Sequence, residues 1–323
     1  MDKITLAHGG GGDEMNALVG EIFSIFDNDV LSEANDAAIL NDIAFSTDSF
    51  VLNPIFLKNL DIGKLSVCGS VNDVLMVGAK PLYLSLALIL EEGFEIEKLK
   101  IILNSIKKEC LELGVKLVCG DTKVVPKNKG DEIYINTSCI GKVIKKISTK
   151  DIQNNLSIIV SRDIGAHGCA VLVERNNLQA NIISDCKNLK SEVEALLKSN
   201  IKIKAMRDAT RGGLSAVLNE WSLLSGFELL IYEEKIPICN EVLGVCELFG
   251  YEPYELANEG TFVLCVEKED EKFALEILQK FNHNASIIGE VTAIKKSRVV
   301  LENAYGARRI LEAPKGELLP RIC

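Results

Sequence analysis

The chain has 323 residues, 47% of them hydrophobic and 25% charged, with a formal net charge of −10 at pH 7. That length exceeds one ordinary core and sets two domains as the expectation, while the acidic balance gives no electrostatic case for a nucleic acid or an anionic membrane, both of which call for basic patches. Ten cysteines occur without a CxxC pair, and most sit in apolar runs where a thiol behaves as a small hydrophobe; their spacing fits neither a disulfide framework nor a zinc site, so a reducing, cytoplasmic location is expected.

In chain order, the run AHGGGG at 7–12 is too permissive for a regular element and reads as a mobile flap or a frayed terminus. No signal-peptide pattern is expected from the first residues. Residues 43–47 form a short strand-like run ending at Asp48. Residues 61–77 read as a helix, with Leu65, Cys68, Leu75 and Met76 recurring on one side. Inside it the polar pair Asn72 and Asp73 is costly unless paired or solvated. Residues 81–90 are apolar enough for a buried strand and fall far short of a membrane span. An amphipathic helix over 97–113 closes at Gly114, a good residue for that turn. Strands follow at 115–119, with Asp121 just beyond, and at 133–139.

A polar connector at 145–157 separates two α/β halves, in preference to one large sheet. The second half restarts with the apolar run 156–160. The run RDATRGG at 207–213 leads into a helix over 214–224 whose glycine-rich start can receive an anion. The run ANEG at 257–260 precedes a strand at 261–266, so Glu259 is either a base in a cleft or a turn residue. After Leu311 the chain reads as a tail, and its last stretch, if extended, spans roughly 30–35 Å.

Acidic residues at strand ends and on helix faces, here Asp36, Asp48, Asp73, Asp121 and Asp208, can converge on Mg²⁺, which takes one or two carboxylates alongside phosphate oxygens. Each alone serves equally well as an N-cap or turn residue. The segment DIGKLS at 61–66 lacks the upstream glycine and the adjacent Ser/Thr of a Walker A loop, so any ATP site belongs to another fold. His8, His167 and His283 form no Ser-His-Asp pattern and no metal-ligand spacing. Cys323, on a chain end, is expected to be reachable, with Arg321 favouring its thiolate and the α-carboxylate opposing it; alternatively its position is accidental.

These runs together resemble the HypE family of hydrogenase maturation proteins, within the superfamily of aminoimidazole ribonucleotide synthetase and selenophosphate synthetase. The match is carried by AHGGGG (7–12), ANDAA (34–38), STDSF (46–50), DIGK (61–64), CGSVND (68–73), EEGF (91–94), GDTKVV (120–125), RDATRGG (207–213), ANEG (257–260) and LPRIC (319–323). Ala209, Ser70 and Gly10 depart from the usual Pro, Thr and Ser without removing a charged or nucleophilic group. The resemblance implies a two-domain α/β (α+β) PurM-like fold, mixed sheets flanked by helices. Residues 1–150 would be the ATP-binding and dimerisation domain, 151–311 the second domain and 312–323 a mobile tail.

It also implies an ATP-dependent carbamoyl dehydratase, a lyase. Cys323 would accept a carbamoyl group from the carbamoyltransferase HypF. ATP would activate the amide oxygen, and the resulting thiocyanate would supply cyanide, through the HypC–HypD complex, to the iron of NiFe hydrogenase. Charge and position within the matching motifs give the expected roles. Asp36, Asp73 and Asp208 would ligate Mg²⁺, with Asp73 also in the catalytic set beside Cys323 and the base Glu259. Asp48, Lys64, Asn72, Asp121, Thr122 and Lys123 would line the ATP site. A homodimer with a shared barrel is implied in the same way. Two other readings fit parts of the sequence: another synthetase of the superfamily, and a non-catalytic nucleotide-binding scaffold docking partners through its tail.

Overall fold

The computed structural model describes residues 3–26, 28–316, 319 and 321–323; Glu317, Leu318 and Pro320 of the expected tail lie outside them. The first half contributes α1 (Asp13–Phe26), β1 (Ala38–Leu40), β2 (Ile43–Phe50), β3 (Phe56–Leu57), β4 (Leu60–Asp61), α2 (Ile62–Met76), β5 (Ala79–Glu91), α3 (Ile96–Leu113), β6 (Lys116–Val125) and β7 (Ile133–Val143). Five of the strands form one sheet in the order β1-β2-β7-β5-β6, parallel only between β5 and β6.

Helix α2 starts where Asp61 accepts the amide hydrogens of Gly63 and Lys64 at 2.8 and 3.0 Å, a side-chain cap for otherwise orphaned donors. Helix α3 ends at Gly114 in the left-handed region (φ 68°), and the Val115 amide reaches back to the Cys110 carbonyl at 2.9 Å. Both predicted helices therefore stand within a residue of their expected bounds.

Strands β2 and β6 run further than expected. Asp48 lies inside β2, opposite Thr137, and Asp121 lies inside β6, opposite Ala87. Pairing with a neighbour carries each strand past a polar residue, because the partner satisfies the backbone whatever side chain is attached.

One face of this sheet is buried under α2 and α3; the other carries Phe45, Ile140 and Tyr83 in one cross-strand row, all exposed. Exposed Leu117, Val118 and Val124 on β6 add to the apolar character of this half's surface.

The second half contributes β8 (Leu156–Val160), α4 (Ala166–Arg175), α5 (Lys190–Lys198), β9 (Ile203–Asp208), α6 (Gly213–Ser225), β10 (Glu228–Tyr232), α7 (Asn240–Phe249), β11 (Phe262–Glu267), α8 (Glu271–Gln279), β12 (Ser286–Val291), β13 (Arg298–Glu302) and β14 (Arg308–Ile310). Its seven strands run β14-β13-β10-β12-β8-β11-β9, antiparallel except between β10 and β13. β8 and β11 are buried almost throughout, as continuous apolar runs covered on both faces require. Helix α2 joins the halves: apart from Lys64 and Asp73 all its residues are buried, and its core is continuous with Ile203, Met206 and Leu264 of the second sheet.

Candidate active site

Asp36 precedes β1, Asp73 sits on α2 and Asp208 ends β9, and carboxylate oxygens of the three lie within 4.8 Å of one another. Arg207 holds the edge of this cluster. Its Nε is 3.1 Å from Asp36, one Nη is 3.1 Å from Glu220 of α6, and the other donates to the Ala34 carbonyl at 3.2 Å. Burial raises the Asp36 pKa to about 6 against the pull of Arg207. Burial and mutual repulsion push Asp73 and Asp208 well above the carboxylate range. An all-oxygen, mutually repelling set at this spacing fits a small hard dication such as Mg²⁺. Asp48 borders the cluster, half-buried on β2, with Arg211 4.0 Å away.

The tail enters the same cleft. The Val51 amide donates to the Cys323 carbonyl at 2.8 Å, and the Asn53 amide to the Arg321 carbonyl at 3.2 Å. Ile322 is buried against the core. Cys323 shares a cavity lining with Arg211, and the pKa of its thiol is pushed up to about 12, chiefly by burial and further by the charges of Glu259, Asp48 and Asp208, with Arg211 opposing. The thiol is part-buried, and Arg321 is not the charge beside it. That side chain points elsewhere: its Nε donates to the Val51 carbonyl at 2.9 Å and its guanidinium pairs with Asp131. Arg211 is the cation that faces the thiol. A cavity of about 60 Å³ remains here, lined in part by Gly9, Gly10, Arg211, Leu256 and Cys323.

The glycine run is not a frayed end but packs on the tail. The Asp13 amide donates to the Pro314 carbonyl at 3.1 Å. A Cβ on Gly12 would sit 2.2 Å from that same oxygen, and one on Gly11 2.6 Å from the Arg211 backbone. Glycine is needed for the closeness of the approach.

Glu259 is buried, and its Oε1 has no partner among the described residues. Burial, then Asp208, Asp185 and Asp48, raise its pKa well above the usual range. Its position comes from Asp185, whose carboxylate accepts the amides of Glu259 and Gly260 at 3.0 Å each and the Thr261 hydroxyl at 2.8 Å.

Residues 34–143 match the family model of the AIR synthase related protein N-terminal domain, and 154–302 that of its C-terminal domain. Carbamoyl dehydratase HypE of Escherichia coli K12 is 38% identical, with 100% of each chain covered. The chain belongs to the HypE family. A solved HypE–HypF complex contains a chain similar to this one at TM-score 0.88 and 43% identity, covering 92% of this chain and 100% of that one. A HypE solved in complex with ATP is similar at TM-score 0.84 and 36% identity, covering 99% and 100%.

Several residues expected in a HypE nucleotide site stand outside the aspartate cluster. The Asn72 side chain is taken up by the second half, donating to the Lys187 carbonyl at 3.1 Å and accepting the Leu189 amide at 3.0 Å. Lys64 lies in the first turn of α2, where its charge acts on the Cys186 thiol. Asp121, Thr122 and Lys123 are exposed on β6, with Asp121 paired to Lys123. The sequence reading gave no role to Arg207, Arg211, Asp185, His167 or Arg175. For Arg207 a signal existed: a cation beside an acid at the end of a buried strand needs a partner. Nothing comparable marks the other four.

Proposed function

We propose that this protein is an ATP-dependent carbamoyl dehydratase whose substrate is a carbamoyl group carried on its own Cys323. The supporting observation is the placement of the tail: the Cys323 carbonyl is held by the Val51 amide just beyond β2, that residue lines a cavity with Arg211, and the charges of Glu259, Asp48 and Asp208 act on its thiol. The carbamoyl oxygen attacks the γ-phosphorus of ATP, releasing ADP and forming a C–O–P ester. The amide nitrogen loses both protons as the C–O bond breaks and phosphate departs, leaving S–C≡N, so the oxygen leaves on phosphate rather than as hydroxide.

Glu259 takes an amide proton. Burial and the nearby carboxylates raise its pKa, and a dication held by those carboxylates would offset their part of the shift. Asp36, Asp73 and Asp208 would hold Mg²⁺, which supplies charge neutralisation for the phosphoryl group. Arg211 faces the reacting group and offsets charge developing on its oxygen. Asp48, Lys64, Asn72, Asp121, Thr122 and Lys123 keep their proposed place around the nucleotide, Asn72 by fixing the loop at 187–189 and the β6 residues by reaching a neighbouring subunit's site. That assignment goes with a homodimer in which a second copy covers the apolar row Phe45, Ile140 and Tyr83. Residues 1–150 then form the nucleotide-binding and dimerising half, 151–311 the second domain and 312–323 the carrier arm. HypF is the proposed donor, the HypC–HypD complex the cyanide acceptor, and the cytoplasm the location.

The deciding experiment is the mass of the C-terminal peptide after incubation with HypF, carbamoyl phosphate and ATP-Mg²⁺. A carbamoyl adduct on Cys323 that loses water only as ATP is hydrolysed is expected. An unmodified Cys323 with ATP still consumed would return the protein to the other synthetases of its superfamily.

A further inference from the structure

A carrier arm has to leave the site to be loaded and return to react, so something sets the division between the two. The tail is seated largely through its backbone. Arg175, the last residue of α4, donates from Nε to the Asn53 carbonyl at 2.6 Å and from an Nη to the Arg321 carbonyl. His167, the second residue of α4, is fully buried with its Nε2 2.7 Å from the Ile322 carbonyl and its Nδ1 2.8 Å from the Ser184 hydroxyl. A carbonyl only accepts, so Nε2 carries the hydrogen. Nδ1 then accepts from Ser184, whose oxygen in turn receives the Cys186 amide at 3.0 Å. Every polar atom of this ring is satisfied by a neutral imidazole while the tail is in place; withdrawing the tail takes away the partner of Nε2 and leaves that donor to water.

We propose that α4 is the latch of the carrier arm, with His167 and Arg175 as positioning residues that set the fraction of time Cys323 spends in the reaction site. Both grip carbonyls upstream of the thiol. The latch is therefore blind to what sulfur carries, and free, carbamoylated and cyanated arms seat alike. Its consequence for catalysis rests on the dehydratase reading; the latch itself does not.

The test uses the full chain without nucleotide and iodoacetamide as the probe, with alkylation followed peptide by peptide. The seated thiol is part-buried and burial raises its pKa, so seating slows its alkylation and a faster rate at Cys323 reads a larger unseated fraction. Exposed Cys119 is the reference for reagent, and buried Cys265 reports any loss of fold. His167→Leu and Arg175→Met should each raise Cys323 alkylation about tenfold, as loss of a desolvated or charge-assisted hydrogen bond implies. His167→Gln, which restores a donor near Nε2, should return most of it, and Cys119 should not move. If His167→Leu also exposes Cys265, Arg175→Met decides alone.

Unchanged Cys323 rates with Cys265 protected, or a Gln variant as fast as Leu, would overturn the latch. In carbamoylated protein the Leu and Met variants should lose water more slowly at saturating ATP, while the Michaelis constant for ATP stays put. If no variant loses water yet Cys323 alkylation still shifts, the dehydratase reading falls and the latch stands.

Discussion

The aspartate cluster and the tail seat meet at Arg211 yet are built in opposite ways. The cluster brings three carboxylates from distant parts of the chain into mutual repulsion, with Arg207 as its main counter-charge, and its pKa values are displaced upward. The seat is the reverse: carbonyls, amides, one imidazole and one guanidinium, each with a partner. A repelling cluster is a site waiting for a cation, and its strain is offset only on binding. A satisfied seat holds its occupant without stored strain and releases it at a modest cost, which suits a part that comes and goes.

Removing charge from the cluster should expose this contrast most strongly. Asp208→Asn is expected to slow water loss from the carbamoylated tail by at least about 10²-fold and to make the metal-free protein more stable at pH 7.5, because burial and the neighbouring carboxylates disfavour its charge. Melting the two proteins with EDTA present checks the second half; a lower Tm for the Asn variant would show that the cluster is not repulsive. The alkylation rate of Cys323 should stay within about twofold of wild type, since the seat does not depend on this carboxylate.

Glu259→Gln comes next. Loss of a general base is expected to cost about 10²–10⁴-fold in water loss, with ATP affinity by calorimetry unchanged. The loop should keep its place because Asp185 holds it by the backbone amides of residues 259 and 260. Water loss at the wild-type rate would assign the base elsewhere.

What could be read from the sequence follows the same divide. Asp36, Asp73 and Asp208 stand out from the other aspartates only through the motifs shared with the HypE family, whereas α2 and α3 are legible because Asp61 and Gly114 mark their ends. The seat was not legible. Arg175 and His167 act on carbonyls, which every residue of the tail possesses, so no residue pattern in 319–323 announces its dock. Arg321 differs for a related reason: nearness in sequence suggests a charge at the thiol, but its backbone turns through the left-handed region (φ 53°) and its side chain is held by the Val51 carbonyl and Asp131. The ends of β2 and β6 were misplaced because pairing, not side-chain polarity, decides where a strand stops.

The glycine run offers a smaller perturbation of the seat from its other side. In Gly12→Ala the new methyl would lie 2.2 Å from the Pro314 oxygen, which belongs to backbone and cannot swing away. Overpacking of this kind costs about 1–3 kcal/mol. The arm should shift outward, raising Cys323 alkylation several-fold while leaving the pH dependence of the aspartate cluster untouched. An unaltered rate would mean that residues 12–14 do not bear on the seat.

The smallest expected effect is the most specific. Burial lowers the pKa of His167; the Ile322 carbonyl and Asp185 act against that shift, and Arg175 reinforces it. Freed of the tail, the ring regains water and moves back toward its ordinary value near about 6.5. A base whose seated pKa is depressed leaves the seat intact above that value and weakens it as pH falls, by at most about 1.4 kcal/mol per pH unit. Asp36, raised to about 6, pulls global stability the other way over part of the same range, so a melting curve would blur the two. The ratio of Cys323 to Cys119 modification by N-ethylmaleimide removes most of the common pH dependence of thiol reactivity. Between pH 7.5 and 5.5 that ratio should rise a few-fold in wild type and stay flat in His167→Gln, which has no proton to gain. A rise of equal size in both would place the titrating group in the aspartate cluster, and the two regions would then be coupled rather than merely adjacent.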